Sequence, residues 1–383
     1  MDMIKGISRI FSIGLLTLMG ANVNVWAQSE IDLSKIKLPE GFKISIYAEG
    51  ITDARSLSST PDGKTVFVGN RRRKNVYALT DTDGDMVADK TYKWASKTGK
   101  DWNMPNGVAY HNGDLYVAEV NRILRFPDIM NNLDDPKQEV IFEDYPTDAH
   151  HGWKFIAFGP DGKLYVPVGA PCNVCESDKE VYASITRMNP DGSNMEIYAT
   201  GVRNSVGFAW DPKTQKMWFT DNGRDMMGDD IPACELNFAP EKGMNFGFPY
   251  WHQGDIPDPD FGDKFPRTNF TEPKYKFEPH SAPLGLRFYQ GDMFPAKYKN
   301  NIIVAQHGSW NRSLDAGHIG YQLRFVQVEG DKVISSEIFA SGWLDQKTNK
   351  GWGKPVDILE MPDGSILVSD DVAGVIYRIS YEK

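Results

Sequence analysis

The chain has 383 residues, 40% of them hydrophobic, with 52 acidic against 42 basic side chains and a formal net charge of −10. That balance excludes a nucleic-acid partner, which needs a basic face. The length allows two domains, although all-β folds of this size also run as one unit.

At the N-terminus, Lys5 and Arg9 accompany an apolar run from Ile10 to Met19, and Val25-Trp26-Ala27 closes it with small residues at the outer positions. The run is too short to cross a bilayer of roughly 30 Å, and its layout is that of a secretory leader. The expected mature protein is Gln28 to Lys383, one domain, periplasmic or secreted, with no later segment apolar enough to insert into a membrane. The cysteines fit an exported chain: Cys172 and Cys175 form a C-x-x-C that reads as a local disulfide in an oxidising compartment. No His follows Cys175, which excludes haem attachment, and Cys234 is left free or competing for a partner.

Further along, a short apolar stretch, a tight turn and an alternating strand recur. The copies are Ser56–Gly69, Gly107–Glu119, Phe155–Gly169, Val206–Gly223, Leu284–Gly308 and Val356–Asp371. Turns such as Pro61-Asp62-Gly63, Asn112-Gly113, Pro160-Asp161-Gly162 and Pro362-Asp363-Gly364 favour hairpins. The early copies start about fifty residues apart, the length of a blade of four strands. The reading is an all-β, six-bladed β-propeller of four-stranded antiparallel blades. Its ring closes by pairing Phe42–Tyr47 with Val375–Ile379, and a loop insertion over about 241–283 covers one face.

Several strand ends carry chemistry. His150-His151-Gly152 precedes the third copy, where a histidine facing the central channel is a usable general base. Strand alternation allows only one of the two to face it. Gly201-Val202-Arg203-Asn204 precedes the fourth copy, and its cation either meets an anionic ligand or makes an inter-blade ion pair. The turn Asp221-Asn222-Gly223-Arg224, with Asp229, Asp230 and Glu235 beyond, suits calcium on backbone carbonyls, or is an acidic solvated loop. Asp81, Asp83, Asp85 and Asp89 resemble the start of a calcium loop that lacks its distal Glu, and fit a structural ion. The basic run Arg71–Lys74 reads as a solvated edge. His307–Arg312 and Gly353-Lys354-Pro355 fall at further strand ends.

These motifs, with Gly169-Ala170-Pro171-Cys172 and Gly243–Pro249, resemble the soluble quinoprotein sugar dehydrogenases, in particular the sorbosone-dehydrogenase-like branch. The resemblance runs from about Leu38 to the C-terminus. It implies a propeller that binds pyrroloquinoline quinone and calcium and oxidises an aldose or a sugar-derived aldehyde. In it His151 is the general base for hydride transfer to the quinone, Arg203 and Asn204 sit by the quinone oxygens, and the carbonyls of Gly223 and Arg224 hold calcium. The family's quinone carboxylates are held by a Lys and two Arg. Here Lys354 stands at one Arg position, Val356 at the other, and Arg312 is the candidate substitute. The residues leave two other readings open: a calcium-dependent lactonase-type hydrolase and a non-catalytic ligand-binding propeller.

Overall fold

The recurring turns each close a hairpin. At Asn112-Gly113 both residues take positive φ, +51° and +93°, the geometry that matches the right-handed twist of the flanking strands. At Pro61-Asp62-Gly63 the Asp62 carboxylate accepts the Thr60 hydroxyl at 2.6 Å and the Lys64 N–H at 3.2 Å. The turn chemistry that announced the repeats is therefore what ends the strands.

The computed structural model describes residues 31–95 and 102–382; the expected leader, residues 1–27, lies outside them. From Leu33 onward the chain packs as one compact unit. Among the described residues the strands form five four-stranded sheets, one five-stranded sheet and two small hairpins. The first blade is Ala54–Ser59, Thr65–Asn70, Asn75–Thr80 and Lys90–Ala95; the second is Gly107–His111, Asp114–Ala118, Ile123–Phe126 and Glu139–Phe142. Ala157–Phe158, Leu164–Val168, Ser184–Met188 and Glu196–Thr200 make the third. The fourth is Phe208–Trp210, Met217–Asp221, Cys234–Ala239 and Tyr275–Phe277, and the fifth Pro283–Phe288, Ile302–Gln306, Gln322–Glu329 and Lys332–Ala340. The sixth joins Pro355–Glu360, Ile366–Asp370 and Val375–Tyr381 to the N-terminal Phe42–Glu49. There Phe42 pairs with Tyr381 and Glu49 with Val375, the closure expected from the two ends of the chain.

A blade cannot cover its own two faces, so its apolar residues are buried against the next blade. Leu57, Val68 and Tyr77 of the first blade pack with Leu367 and Ile376 of the sixth. Phe67 and Val76, on the opposite face, pack with Val117 and Leu124 of the second. Between the fifth and sixth blades, Phe42 meets Phe294, Tyr298, Phe339 and Tyr381 edge-on, with ring centroids 4.7 to 5.3 Å apart. Edge-to-face pairs of this kind contribute about 0.5–1.5 kcal/mol each beyond simple burial.

The stretch expected to be an insertion is not all loop. Met244–Asn245 adds a parallel strand to the third blade, and Tyr275–Phe277 is the outer strand of the fourth. Between them Trp251–His252 pairs with Ile256–Pro257. Strands this short carry no readable alternation, which is why composition alone makes the segment look irregular.

Candidate active site

Residues from the blade junctions meet in a cleft of about 420 Å³. His150, His151 and Trp153 come from the approach to the third blade, Arg203 and Asn204 from the approach to the fourth, and Lys354 from the approach to the sixth. Asn222, Gly223 and Asp225 follow a strand of the fourth blade, and His307, Gly308, Trp310 and Asn311 follow one of the fifth.

His151 is 7% exposed. Its Nδ1 lies 2.9 Å from the Ala170 carbonyl, which can only accept, so Nδ1 carries the proton and Nε2 is left with its lone pair. Burial pushes the imidazole pKa down to about 2, with Arg203 and His150 adding to the effect. The ring is held in place by a close approach, because a Cβ on Gly169 would stand 2.6 Å from that of His151. His150 and His151 both line the cleft, against the expectation that only one would face it. They occupy a turn, with His151 at φ +50°, so strand alternation does not apply to them. We expect the His151 ring signals in a proton NMR titration to stay those of the neutral form from pH 8 to 5; a midpoint near 6.5 would show that burial does not govern this ring.

Arg203 is 3% exposed and is held by four hydrogen bonds that leave one Nη1–H uncommitted. Its Nε donates to the Asn173 carbonyl at 2.9 Å, Nη1 to the Asn222 carbonyl at 3.1 Å, and Nη2 to Asn173 Oδ1 at 2.9 Å and Asp225 Oδ2 at 3.0 Å. Asp221 fixes the backbone of this segment by accepting the N–H of Arg203 at 2.8 Å and of Asn204 at 2.6 Å. Asn173 lies inside the loop closed by the Cys172–Cys175 disulfide, so the expected bridge presents the residue that grips Arg203. Ala170, whose carbonyl accepts the His151 N–H, donates its own N–H to the Arg203 carbonyl at 2.8 Å. The two candidate residues are thus tied together through one residue of backbone.

Cations dominate the rest of the lining. Arg55, Arg71, Arg72 and Lys354 face the cleft, and Asp225, already bound to Arg203, is the only carboxylate on its wall among the described residues. Arg55 is neutralised by Asp371 at 2.9 Å, which also meets His307 Nε2 at 2.9 Å. Burial holds His307 down to about 4, against the pull of Asp371. Arg71 and Lys354 have no carboxylate within salt-bridge distance among the described residues. Arg71 lies over the Trp153 indole at 4.3 Å and Lys354 over Tyr321 at 4.8 Å. Burial lowers the pKa of Arg71 to about 10, helped by Arg55 and Arg72, and burial lowers that of Lys354 too. The buried indole N–H of Trp153 finds no acceptor among the described residues.

Of the basic run, Arg71 and Arg72 line the cleft, while Arg72, Arg73 and Lys74 are exposed, as expected of a solvated edge. Arg312 does not reach it: its Nε donates to the Gly317 carbonyl at 2.8 Å and Nη1 to that of Asp229. Its neighbours Trp310, 65% exposed at the rim, and Asn311 face the cleft instead. His280, which sequence reasoning passed over, lies in the approach to the fifth blade, lines the cleft and shares a hydrogen bond with Asn311 at 3.1 Å.

Gly223 borders the cleft, and among the described residues no hydrogen bond is made to its carbonyl or to that of Arg224. The Arg224 guanidinium turns away to Asp258. Asp229 is engaged by Ser313, and Glu235 is buried behind the turn opposite Asp221, where burial and mutual repulsion raise its pKa. In the first blade, oxygens of Asp81, Asp83 and Asp89 lie within 4.8 Å of one another. Asp85 is not part of that group and accepts the Val87 N–H at 2.8 Å. This cluster belongs to the loop after Asn75–Thr80 and not to the cleft.

Comparison with known proteins gives this arrangement its relatives. The family model for glucose/sorbosone dehydrogenases matches residues 118–378. An uncharacterized protein of Borreliella burgdorferi is 32% identical over 98% of this chain and 97% of its own length. A pyrroloquinoline quinone-dependent pyranose dehydrogenase of Coprinopsis cinerea is 29% identical over 90% of this chain, which spans 54% of that protein. Among solved structures, the holo form of the quinone domain of the Coprinopsis pyranose dehydrogenase superposes with a TM-score of 0.74. The match covers 90% of this chain and 97% of that one, at 17% identity, a likeness of fold.

Proposed function

The chain belongs to the glucose/sorbosone dehydrogenase family, and from that premise we propose that it is an exported, quinone-dependent oxidoreductase that oxidises an aldose or a sugar-derived aldehyde. The observation that carries the proposal is the meeting, in one cleft, of a neutral histidine with a free Nε2 and two partly buried cations that make no direct salt bridge among the described residues. An anionic, planar cofactor answers the second feature and an oxidisable hydroxyl the first.

Pyrroloquinoline quinone fits the donors present. Arg71 and Lys354, backed by Arg55, would hold its carboxylates. The unpaired carbonyls of Gly223 and Arg224 would hold calcium, which takes oxygen ligands. When bound, the quinone supplies the hydride acceptor and calcium the Lewis acid that polarises it. His151 Nε2 takes the proton of the hydroxyl being oxidised, and the Nδ1–H bond to Ala170 keeps the ring aimed. Arg203, rigid in its cage of acceptors, stabilises negative charge as it develops, with Asn204 beside it. The disulfide and the expected leader agree with a periplasmic or secreted site of action; no helix among the described residues is long and apolar enough to cross a membrane.

Purified protein mixed with quinone and calcium, and screened with aldoses and aldehydes against an artificial electron acceptor, should reduce the dye only when both additions are present. Failure to bind quinone by absorbance titration, with the fold intact, would favour a non-catalytic propeller. Lactone hydrolysis without quinone would favour the hydrolase, which the scarcity of carboxylates in the cleft argues against.

A further inference from the structure

A second concavity, of about 620 Å³, has Tyr321 in its lining, and the ring of Tyr321 also carries the ammonium of Lys354, a residue of the cleft, at 4.8 Å. The groove is bounded by the segment around Lys35–Lys37, which bridges to Ser341, and by the hairpin pairing Leu344–Asp345 with Lys350–Gly351.

Its chemistry runs against that of the whole chain. On a protein of formal net charge −10, the ionisable side chains lining this groove are Lys35, Lys37, Lys347 and Lys350 against Asp345. Asp345 is turned into the hairpin, where Oδ1 accepts the N–H of Lys347 at 2.9 Å and of Thr348 at 3.3 Å. Trp352 supplies a half-exposed indole. Its Nε1 is spent on the Gly342 carbonyl at 2.7 Å, and the Lys35 ammonium stands 6.0 Å from its ring centroid, so what it offers a ligand is an apolar face beside a cation. Thr348 and Gln346 add neutral polar groups to the lining.

The groove is also stiff. Tyr321 is pinned by its hydroxyl to the Ser309 carbonyl at 2.8 Å, and a Cβ on Gly351 would lie 2.2 Å from its ring. The Trp352 backbone N–H holds the Trp343 carbonyl at 2.9 Å. A concave site with an aromatic platform, convergent polar groups and little left to order on binding is built for a small ligand.

We propose that this groove binds an acidic saccharide, with a sugar ring on the Trp352 face and its carboxylates among the lysines. The combination selects the class. Lysines alone accept any anion, and an indole face alone accepts any sugar; their juxtaposition favours a ligand that is both. This site is separate from the quinone reading and stands without it.

The test is a calorimetric titration of the quinone-free protein with trigalacturonate, with neutral cellotriose and sodium sulfate as comparisons. Trigalacturonate should bind, more weakly as salt is raised, and at least about tenfold more tightly than either comparison, because only it meets both the charge and the platform. The double reversal Lys347→Glu/Lys350→Glu alters exposed hairpin side chains. It should weaken trigalacturonate by about tenfold or more, while quinone affinity in the cleft and the denaturation midpoint stay as they were. No binding of trigalacturonate, binding no tighter than sulfate or cellotriose, or equal binding to the reversed variant would each overturn the proposal. Because the titration contains no quinone, its failure leaves the reading of the cleft untouched.

Discussion

Replacing His151 by Asn should lower kcat of the quinone- and calcium-loaded protein by roughly 10²–10⁴-fold, the usual worth of a positioned general base. Asn is the informative replacement, because it tolerates the left-handed backbone that His151 adopts at φ +50° and is polar, yet has no basic nitrogen. Quinone affinity and the denaturation midpoint should change little. Among the described residues no carboxylate pairs with this ring, and the hydrogen bond given up is the one from Nδ1 to the Ala170 carbonyl. A variant that retains near-normal turnover with bound quinone would remove His151 from the proton-transfer step.

The second large effect concerns charge. Arg71→Ala/Lys354→Ala should weaken quinone binding by roughly 10²–10⁴-fold, if each cation makes one charged hydrogen bond of about 1.5–3 kcal/mol. The singles should fall between the double variant and the parent. Absorbance titration reads this without turnover. The same substitutions should leave the quinone-free protein no less stable, because burial without a direct salt bridge already disfavours the charged forms of Arg71 and Lys354, and Arg55 keeps its own partner in Asp371. Weaker binding combined with unchanged or improved stability separates a ligand-binding charge from a structural one. Unchanged quinone affinity in the double variant would mean that the carboxylates are held elsewhere.

Much of this architecture is legible in the order of residues alone. Turn residues and alternation locate the inner two strands of the first, second, third and sixth blades, since Pro-Asp-Gly and Asn-Gly turns constrain the backbone locally. The pairing of Phe42–Glu49 with Val375–Tyr381 follows from two alternating ends that need partners. What the sequence conceals is direction. Arg71 and Arg72 leave a strand end toward the channel and not the outer rim, and no periodicity distinguishes the two. Asn311 enters the cleft while the adjacent Arg312 is drawn off by the carbonyls of Asp229 and Gly317. His150 and His151 share a face because a left-handed residue interrupts the alternation. Asn173 stays hidden because its role depends on a loop tied by the disulfide, and Trp153 because aromatic residues at strand starts are ordinarily core.

The shared sixth blade also sets when the protein can become functional. Its outer strand precedes the other five blades in the chain and its other three strands follow them. Until the last of them emerges, the first blade has no neighbour on one side, and Arg55 has no Asp371 to hold it. The cleft is therefore complete only once the two ends of the ring have met.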